Sequence, residues 1–298
     1  MKLNKTVLAV AIAGIAAAPM MASATTTLGG VVQVRISGSD SELEHINTNG
    51  DDFEAGEARV TPGDVRMSFA GSHAMNNGLT GYGSMRLNLD SLSGQVDENG
   101  DRLPVKTDQV WVGIKGGFGD FRMGEVPNAG EYGQGIDLHD MGVDVNQGLG
   151  YTGTFGGATV GVSYSPARNM DLIAAGAKFS WNGLGLGIGM QDLDEATNVG
   201  ATASFAYAGA SIALQFSQLG ETDDAAEDTV VAAKVGYSIS GVSLALTFSQ
   251  QQDAEDTKIR FDAGYDLGGG LGISTRINQR DNDGADSSDW RIQLAKSF

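Results

Sequence analysis

Hydrophobic and polar residues alternate along most of the chain from Thr25 onward. In the run 242–249, for example, Leu244, Leu246 and Phe248 are separated by small or polar residues. A period of two places successive side chains on opposite faces of an extended strand, whereas a helix repeats about every 3.6 residues. The pattern therefore predicts an all-β protein whose strands have one apolar and one polar face.

Sixteen segments of the chain follow this pattern. They are 26–37, 58–70, 79–90, 106–116, 119–125, 147–155, 157–165, 173–182, 184–192, 198–208, 210–219, 228–239, 241–252, 257–267, 270–281 and 289–298. A tilted strand needs about 9–11 residues to cross the hydrocarbon layer of a membrane, and most of the segments have that length. The sequence therefore predicts a transmembrane antiparallel β-barrel of 16 strands.

The connections between these segments also alternate, in length and composition. One set is short and rich in glycine: 116–119, 155–157, 182–183, 207–209, 240–241 and 268–270. The other set is longer and usually acidic: 38–57, 91–105, 125–147, 220–228, 253–256 and 282–289. Short turns at one end and long loops at the other are typical of an outer-membrane barrel. A soluble β-sandwich, such as a secreted adhesion protein, also has alternating strands and is the alternative from another class.

The first residues predict a secretory signal peptide. Lys2 and Lys5 form a positive region, residues 7–18 are mostly apolar, and Ala22 and Ala24 fit a small-x-small cleavage site. We therefore expect residues 1–24 to be the signal peptide and residues 25–298 to be the barrel domain of an exported protein.

Composition excludes several other functions. The chain has 19 Lys and Arg against 37 Asp and Glu, a net charge of -18, which argues against a nucleic-acid partner. It has no cysteine, so a disulfide scaffold and thiolate metal sites are excluded. The G-x-G-x-x-G spelling at 148–153 precedes no helical pattern, and no G-x-S-x-G nucleophile motif occurs. We expect no enzyme activity, no catalytic residues, no metal site and no cofactor.

Several short segments, taken in order, carry a family resemblance. They are Thr27–Gly30, Val110–Gly119 leading into Phe121–Gly124, Tyr151–Tyr164, and the last strand, which ends at Phe298. With them the chain resembles the general diffusion porins of Gram-negative bacteria. The resemblance implies a porin in the outer membrane that forms a water-filled channel for passive diffusion of ions and small hydrophilic solutes. It also implies a homotrimer in contact with outer-membrane lipid and lipopolysaccharide.

In such porins the third long loop folds into the lumen and narrows it. The loop 125–147 is the candidate here, and it holds five acids and no Lys or Arg: Glu125, Glu131, Asp137, Asp140 and Asp144. The resemblance implies a basic wall opposite this loop, formed by Arg35, Arg66 and Arg86, with Arg122 as a further candidate. The period of two independently places these four arginines on the polar faces of their strands. An ordinary solvated surface loop is the alternative for 125–147.

The charge of the lumen predicts a weak preference for cations. Two unit charges about 10 Å apart in water interact by only about 0.4 kcal/mol, whereas a tenfold bias needs about 1.4 kcal/mol. Several unopposed carboxylates must therefore act together. A substrate-specific channel on the same barrel is the alternative; it would need aromatic side chains in the lumen, where the period of two places Tyr82 and Trp111.

Overall fold

The computed structural model describes residues 24–40, 56–75, 77–89, 105–136, 138, 145, 147–167, 170–193, 196–221 and 226–298. Within these ranges the chain forms sixteen strands and one short 3-10 helix. The strands are β1 (Ala24–Ser39), β2 (Ala58–Ala74), β3 (Thr80–Asn88), β4 (Lys106–Gly116), β5 (Gly119–Gly124), β6 (Gly148–Phe155), β7 (Ala158–Ala167), β8 (Met170–Trp181), β9 (Leu184–Leu193), β10 (Ala196–Tyr207), β11 (Ala210–Leu219), β12 (Asp228–Ile239), β13 (Val242–Gln251), β14 (Asp256–Gly268), β15 (Leu271–Asn282) and β16 (Ala285–Ser297). No helix in the described part of the chain is long and apolar enough to span a membrane.

The sheet closes on itself. Each strand pairs antiparallel with its neighbours in the sequence, and β16 pairs with β1, from Val31 opposite Ser297 to Ser39 opposite Asp289. The prediction of a 16-stranded antiparallel barrel is therefore confirmed. The β-sandwich alternative is wrong, because a single closed sheet leaves no second sheet to pack against.

The barrel is apolar outside and polar inside. On β13 Leu244, Leu246 and Phe248 are 41–54% exposed, while Thr247 and Ser249, on the opposite face, are 3% and 0% exposed. This distribution is the reverse of that in a soluble domain, where large apolar side chains are buried. It fits a barrel whose outer surface lies in lipid and whose inner face lines a lumen.

The seam between the first and last strands is completed at the carboxyl terminus. The backbone N–H of Gly30 donates to the carbonyl of Phe298 at 3.0 Å, and the N–H of Phe298 donates back to Gly30 at 3.2 Å. A Cβ at Gly30 would overlap the Phe298 ring. The terminal aromatic residue therefore lies against β1 at a position that requires a glycine.

One predicted loop is wrong. The sequence predicted a long connection over 282–289, but β15 and β16 are joined by the two residues Asp283 and Gly284. Both have positive φ, 50° and 77°, as a tight type I′ hairpin requires. The acidic residues after the turn belong to β16, which starts at Ala285 rather than at 289. Three of the long connections thus lie in the first half of the chain, after β1, β3 and β5. A further one, 220–227, lies between β11 and β12.

The two faces of β13 differ enough to be tested with matched substitutions. Leu246→Arg places a cation on the lipid face, which costs about 2–4 kcal/mol near the bilayer midplane. We expect the urea concentration at the midpoint of unfolding to fall accordingly. Unfolding is measured on the barrel in lipid vesicles, with heat-modifiable gel mobility as the readout of the folded fraction. Ala245→Arg is the control, because Ala245 faces the lumen opposite Asp262, and it should change the midpoint little. An equal loss from both variants would contradict the assignment of the two faces.

Candidate functional site

Basic side chains line one side of the inner face. They lie on six adjacent strands, β14–β15–β16–β1–β2–β3, and include Lys258, Arg260, Arg276, Arg280, Arg291, Arg35, Arg66 and Arg86. The register places Arg276 directly opposite Arg291, and Asp262 opposite Arg276. All these positions share the parity that faces the lumen, so their charges are directed into it.

Carboxylates on the same wall hold several of these cations in place. Arg280 donates to both oxygens of Asp256, each at 2.8 Å, and Lys258 Nζ lies 3.4 Å from the same carboxylate. Arg276 Nε lies 2.6 Å from Asp262 Oδ1. These lateral pairs fix the side chains along the wall, because a carboxylate matches the donor geometry of a guanidinium.

The three arginines predicted for the basic wall lie on neighbouring strands. Arg35 on β1 and Arg66 on β2 share Asp64, at 3.6 Å and 3.3 Å. Arg86 on β3 lies opposite Ser68 of β2. The structure thus places them side by side. It also extends the wall across β16 and β15 to β14, where Arg291, Arg276 and Arg260 lie on the inner face. The sequence analysis did not predict these three for the basic wall.

Arg122 belongs to a different cluster, on β3–β5. It pairs with Asp120 at 3.0 Å, and its Nε donates to the Tyr82 hydroxyl at 2.9 Å. Its guanidinium carbon lies 4.7 Å from the centre of the Trp111 ring, and the rings of Tyr82 and Trp111 meet edge to face at 5.1 Å. Both aromatic residues face the lumen, at the base of the loop that follows β5.

The described part of the loop after β5 crosses the interior. At its start the Glu125 carboxylate accepts a hydrogen bond from Gln109 Nε2 on β4 at 2.9 Å. Further on, the carbonyl of Leu138 accepts one from Lys258 Nζ on β14 at 3.3 Å. Between them lies the short 3-10 helix Ala129–Gly133, called here the loop helix. A segment that contacts well-separated strands through their polar faces lies inside the barrel.

Hydrogen bonds from the loop backbone anchor this segment to the wall. The N–H of Ala129 donates to Ser163 Oγ on β7 at 3.0 Å. The N–H groups of Gly135 and Ile136 both donate to Gln215 Oε1 on β11, at 2.9 Å and 2.8 Å. Buried backbone donors must find acceptors, and these polar side chains supply them.

A surface without side chains receives the loop helix. We call it the glycine bed; it consists of Gly161, Gly176, Gly187 and Gly189 on β7–β9. A Cβ at Gly176 would overlap the Ala129 carbonyl oxygen, and one at Gly189 would overlap that of Gly130. The alternation of glycine at 185, 187 and 189 on the lumen-facing parity was the signal that could have indicated this docking.

The acidic residues of the loop fall into two groups. Glu125 and Glu131 line a recess of about 170 Å³ together with Trp111 and Arg122. Asp137, Asp140 and Asp144 lie outside the described residues. Among the residues that are described, no group of three His, Asp or Glu side chains is arranged to hold a metal ion.

Comparison with known proteins agrees with this architecture. A family model described as Gram-negative porin matches residues 6–285. The chain belongs to this porin family. Family and fold are those of channel proteins of the outer membrane.

Two curated relatives resemble part of the porin. It is 32% identical over 132 residues to a monosaccharide porin of Halomonas sp and, equally, to the major outer membrane protein of Halomonas elongata. Each match covers 41% of this chain and 33% of the relative. The matched segment therefore spans about a third of the length of these curated relatives.

Solved structures share the fold of the porin over nearly all of its length. The loop L8 deletion mutant of OmpT from Vibrio cholerae superposes with a TM-score of 0.73 at 11% identity, over 92% of this chain and 99% of that one. The anion-selective porin from Comamonas acidovorans gives 0.66 at 16% identity, over 93% and 100%. At these identities the likeness concerns the fold alone.

The glycine bed of the porin can be tested by filling it. Gly189→Val puts a side chain where the Gly130 carbonyl lies, so the loop helix should leave the wall while the strand, which favours valine, persists. We expect a Glu-specific protease to cut the folded barrel after Glu131 faster by about tenfold or more, because local opening becomes less costly.

Gly272→Val is the matched control. Gly272 also faces the lumen, on β15, but a Cβ there would lie 3.6 Å from the Tyr265 carbonyl oxygen, an ordinary contact. Its cleavage rate should equal that of the unmodified porin. Unchanged cleavage in Gly189→Val as well would show that the loop does not depend on the bed.

Proposed function

We propose that this chain forms a water-filled channel through which ions and small hydrophilic solutes diffuse passively across the outer membrane, without catalysis. The observation that carries the proposal is a closed barrel of sixteen strands whose inner face is charged and whose outer face is apolar. A barrel of this size leaves an aqueous lumen, and passage is then set by bore and charge rather than by tight binding. The loop helix, docked on the glycine bed, narrows that lumen from one side.

The channel is tested in planar bilayers and in liposomes. We expect the folded protein to produce stepwise increases in conductance that grow in proportion to the KCl concentration. In swelling assays, a graded series of sugars should enter proteoliposomes more slowly as their size increases. Protein denatured by boiling is the control, and folded protein that yields neither conductance steps nor swelling would refute the proposal.

The fold of a trimeric relative and the apolar outer face bear on the assembly and its membrane surroundings. One solved structure of the same fold is described as the trimer form of OmpT from Vibrio cholerae, and we propose a homotrimer here. We further propose that the apolar outer face contacts outer-membrane lipid and lipopolysaccharide. Residues 1–24 are proposed to be a signal peptide cleaved before Thr25. Chemical cross-linking in outer membranes tests the homotrimer. The mass of the mature chain tests cleavage before Thr25.

We also propose that the ion preference is weakly cationic. The chain carries a net charge of -18, and Glu125 and Glu131 hold negative charge at the loop. The arginines of the opposite wall offset part of this effect. Because these charges face water, each contributes little and salt screens it. The preference is therefore the small difference between two opposed sets of charges.

Removal of the loop charges should shift this balance. In the double variant Glu125→Gln and Glu131→Gln, we expect the cation-to-anion permeability ratio to fall by about twofold, as two screened charges are lost near the permeation path. The measurement is the reversal potential across a planar bilayer under a KCl gradient. Glu227→Gln, at the loop before β12, is the control, and a strongly anion-selective parent channel would refute the cationic preference.

Selectivity for monosaccharides is the second candidate function. The observation that favours it is the relative from Halomonas named a monosaccharide porin. The lumen-facing pair Tyr82 and Trp111 could present an aromatic surface to a sugar, since rings stack on apolar sugar faces. Liposome swelling that is faster for glucose than for an uncharged solute of equal size would support this function over simple diffusion.

A further inference from the structure

Arg291 stands out on the basic wall because no carboxylate in the described part of the chain pairs with it. Its side chain is half-buried on the inner face of β16, and its guanidinium makes no hydrogen bond or ion pair with any residue that the structure describes. The charges that act on it most strongly are the cations Arg276, Arg35 and Arg260, against the carboxylate of Asp262. A guanidinium among three others is unfavourable unless an anion joins them.

The described carboxylates that contact this cluster already have partners, since Asp64 is shared by Arg35 and Arg66 and Asp262 is bound by Arg276. Asp262 Oδ1 accepts from Arg276 Nε at 2.6 Å. The register sets Arg276 directly opposite Arg291 across β15 and β16, and like charges in such a pair destabilise a sheet. The cluster therefore retains an excess of positive charge at one point of the lumen.

The neighbouring cations are held in place by contacts along the wall. Arg35 Nε donates to Gln293 at 3.0 Å, and its Nη2 lies 3.6 Å from the Asp64 carboxylate. Arg260 Nε donates to Asn278 at 3.0 Å. These contacts orient the two side chains beside Arg291. An arrangement of fixed guanidiniums around an uncompensated one is suited to an oxyanion, whose oxygens accept paired N–H donors.

We propose that Arg291 and Arg276, flanked by Arg35 and Arg260, form a binding site for small doubly charged oxyanions such as sulfate and phosphate. The proposal deepens the channel function and rests on it, because the anion reaches the site through the lumen. A doubly charged ion gains roughly twice the attraction of a singly charged one from the same cations. The site therefore selects by charge and by the presence of several acceptor oxygens, not by shape alone.

Water in the lumen offers the competing explanation for an unpaired arginine. If hydration and mobile chloride suffice to screen the cluster, sulfate binds no better here than at Lys258 of the same wall. The two explanations differ in stoichiometry and in position. Only the site gives saturable binding, one oxyanion per chain, that depends on Arg291.

The test is equilibrium binding of radiolabelled sulfate to the folded, detergent-solubilised barrel at constant ionic strength. We expect saturation at about one sulfate per chain and, in Arg291→Gln, an affinity lower by about tenfold, as for the loss of a charge-assisted bidentate contact. Arg291→Lys should recover only part of the loss, because an ammonium keeps the charge but not the paired donors. Lys234→Gln removes a lumen-facing cation from β12 and should leave the affinity unchanged.

Each outcome decides the proposal. Linear, non-saturable uptake by the unmodified barrel, or equal losses in Arg291→Gln and Lys234→Gln, would overturn it. Heat-modifiable mobility confirms that every variant is folded. Because binding is measured without a membrane, its failure is separate from a failure of the channel itself, which would appear as absent conductance in a protein that still binds sulfate.

Discussion

The backbone hydrogen bond is the constraint on which the rest of this structure depends. In hydrocarbon an unpaired N–H or C=O has no water to bond with, so a membrane-spanning sheet must have no open edge. The chain meets this requirement at the seam of β1 and β16, where Gly30 and Phe298 exchange backbone bonds. Once the sheet is closed, each strand has one face toward lipid and one toward the lumen. Whether a residue occupies an odd or an even position of its strand then decides whether its side chain meets lipid or the lumen.

This division explains why charges are tolerated in the interior. Burial of Thr247 and Ser249 inside the barrel, beside exposed Leu246, shows that the polar face is the enclosed one. Ionic groups such as Arg276 and Asp262 remain in contact with water there and pair laterally along the wall. Such pairs contribute little stability when hydrated. In the proposed channel their importance is the electric field that they create for a passing ion.

The sequence predicted the strands well because the period of two reports the environment directly. The parity of Arg35, Arg66 and Arg86 was readable for the same reason. The start of β16 was missed because the acids after Gly284 suggest a loop, although the Asp-Gly pair specifies a tight hairpin.

Features that depend on several strands at once were not readable. Arg276 and Arg291 become neighbours only through the register of β15 and β16. The glycine bed likewise forms from β7–β9, and its meaning appears only when the loop helix lies on it. The alternation within one strand does not indicate which residues of the neighbouring strands lie next to it.

The inner face thus has two sides of opposite composition. One side carries the glycine bed and the other carries the arginines of the basic wall. Glycines at 176, 187 and 189 leave no side chains at these positions of β8 and β9, so the loop backbone can approach the wall closely enough to bond with Ser163 and Gln215. The described part of the loop therefore lies against that side of the inner face, and in the proposed channel solutes pass nearer to the other side. That other side is the wall of arginines. In the proposed channel, a bed without side chains brings the permeation path closer to the cations, so the charge of that wall acts more strongly on solutes.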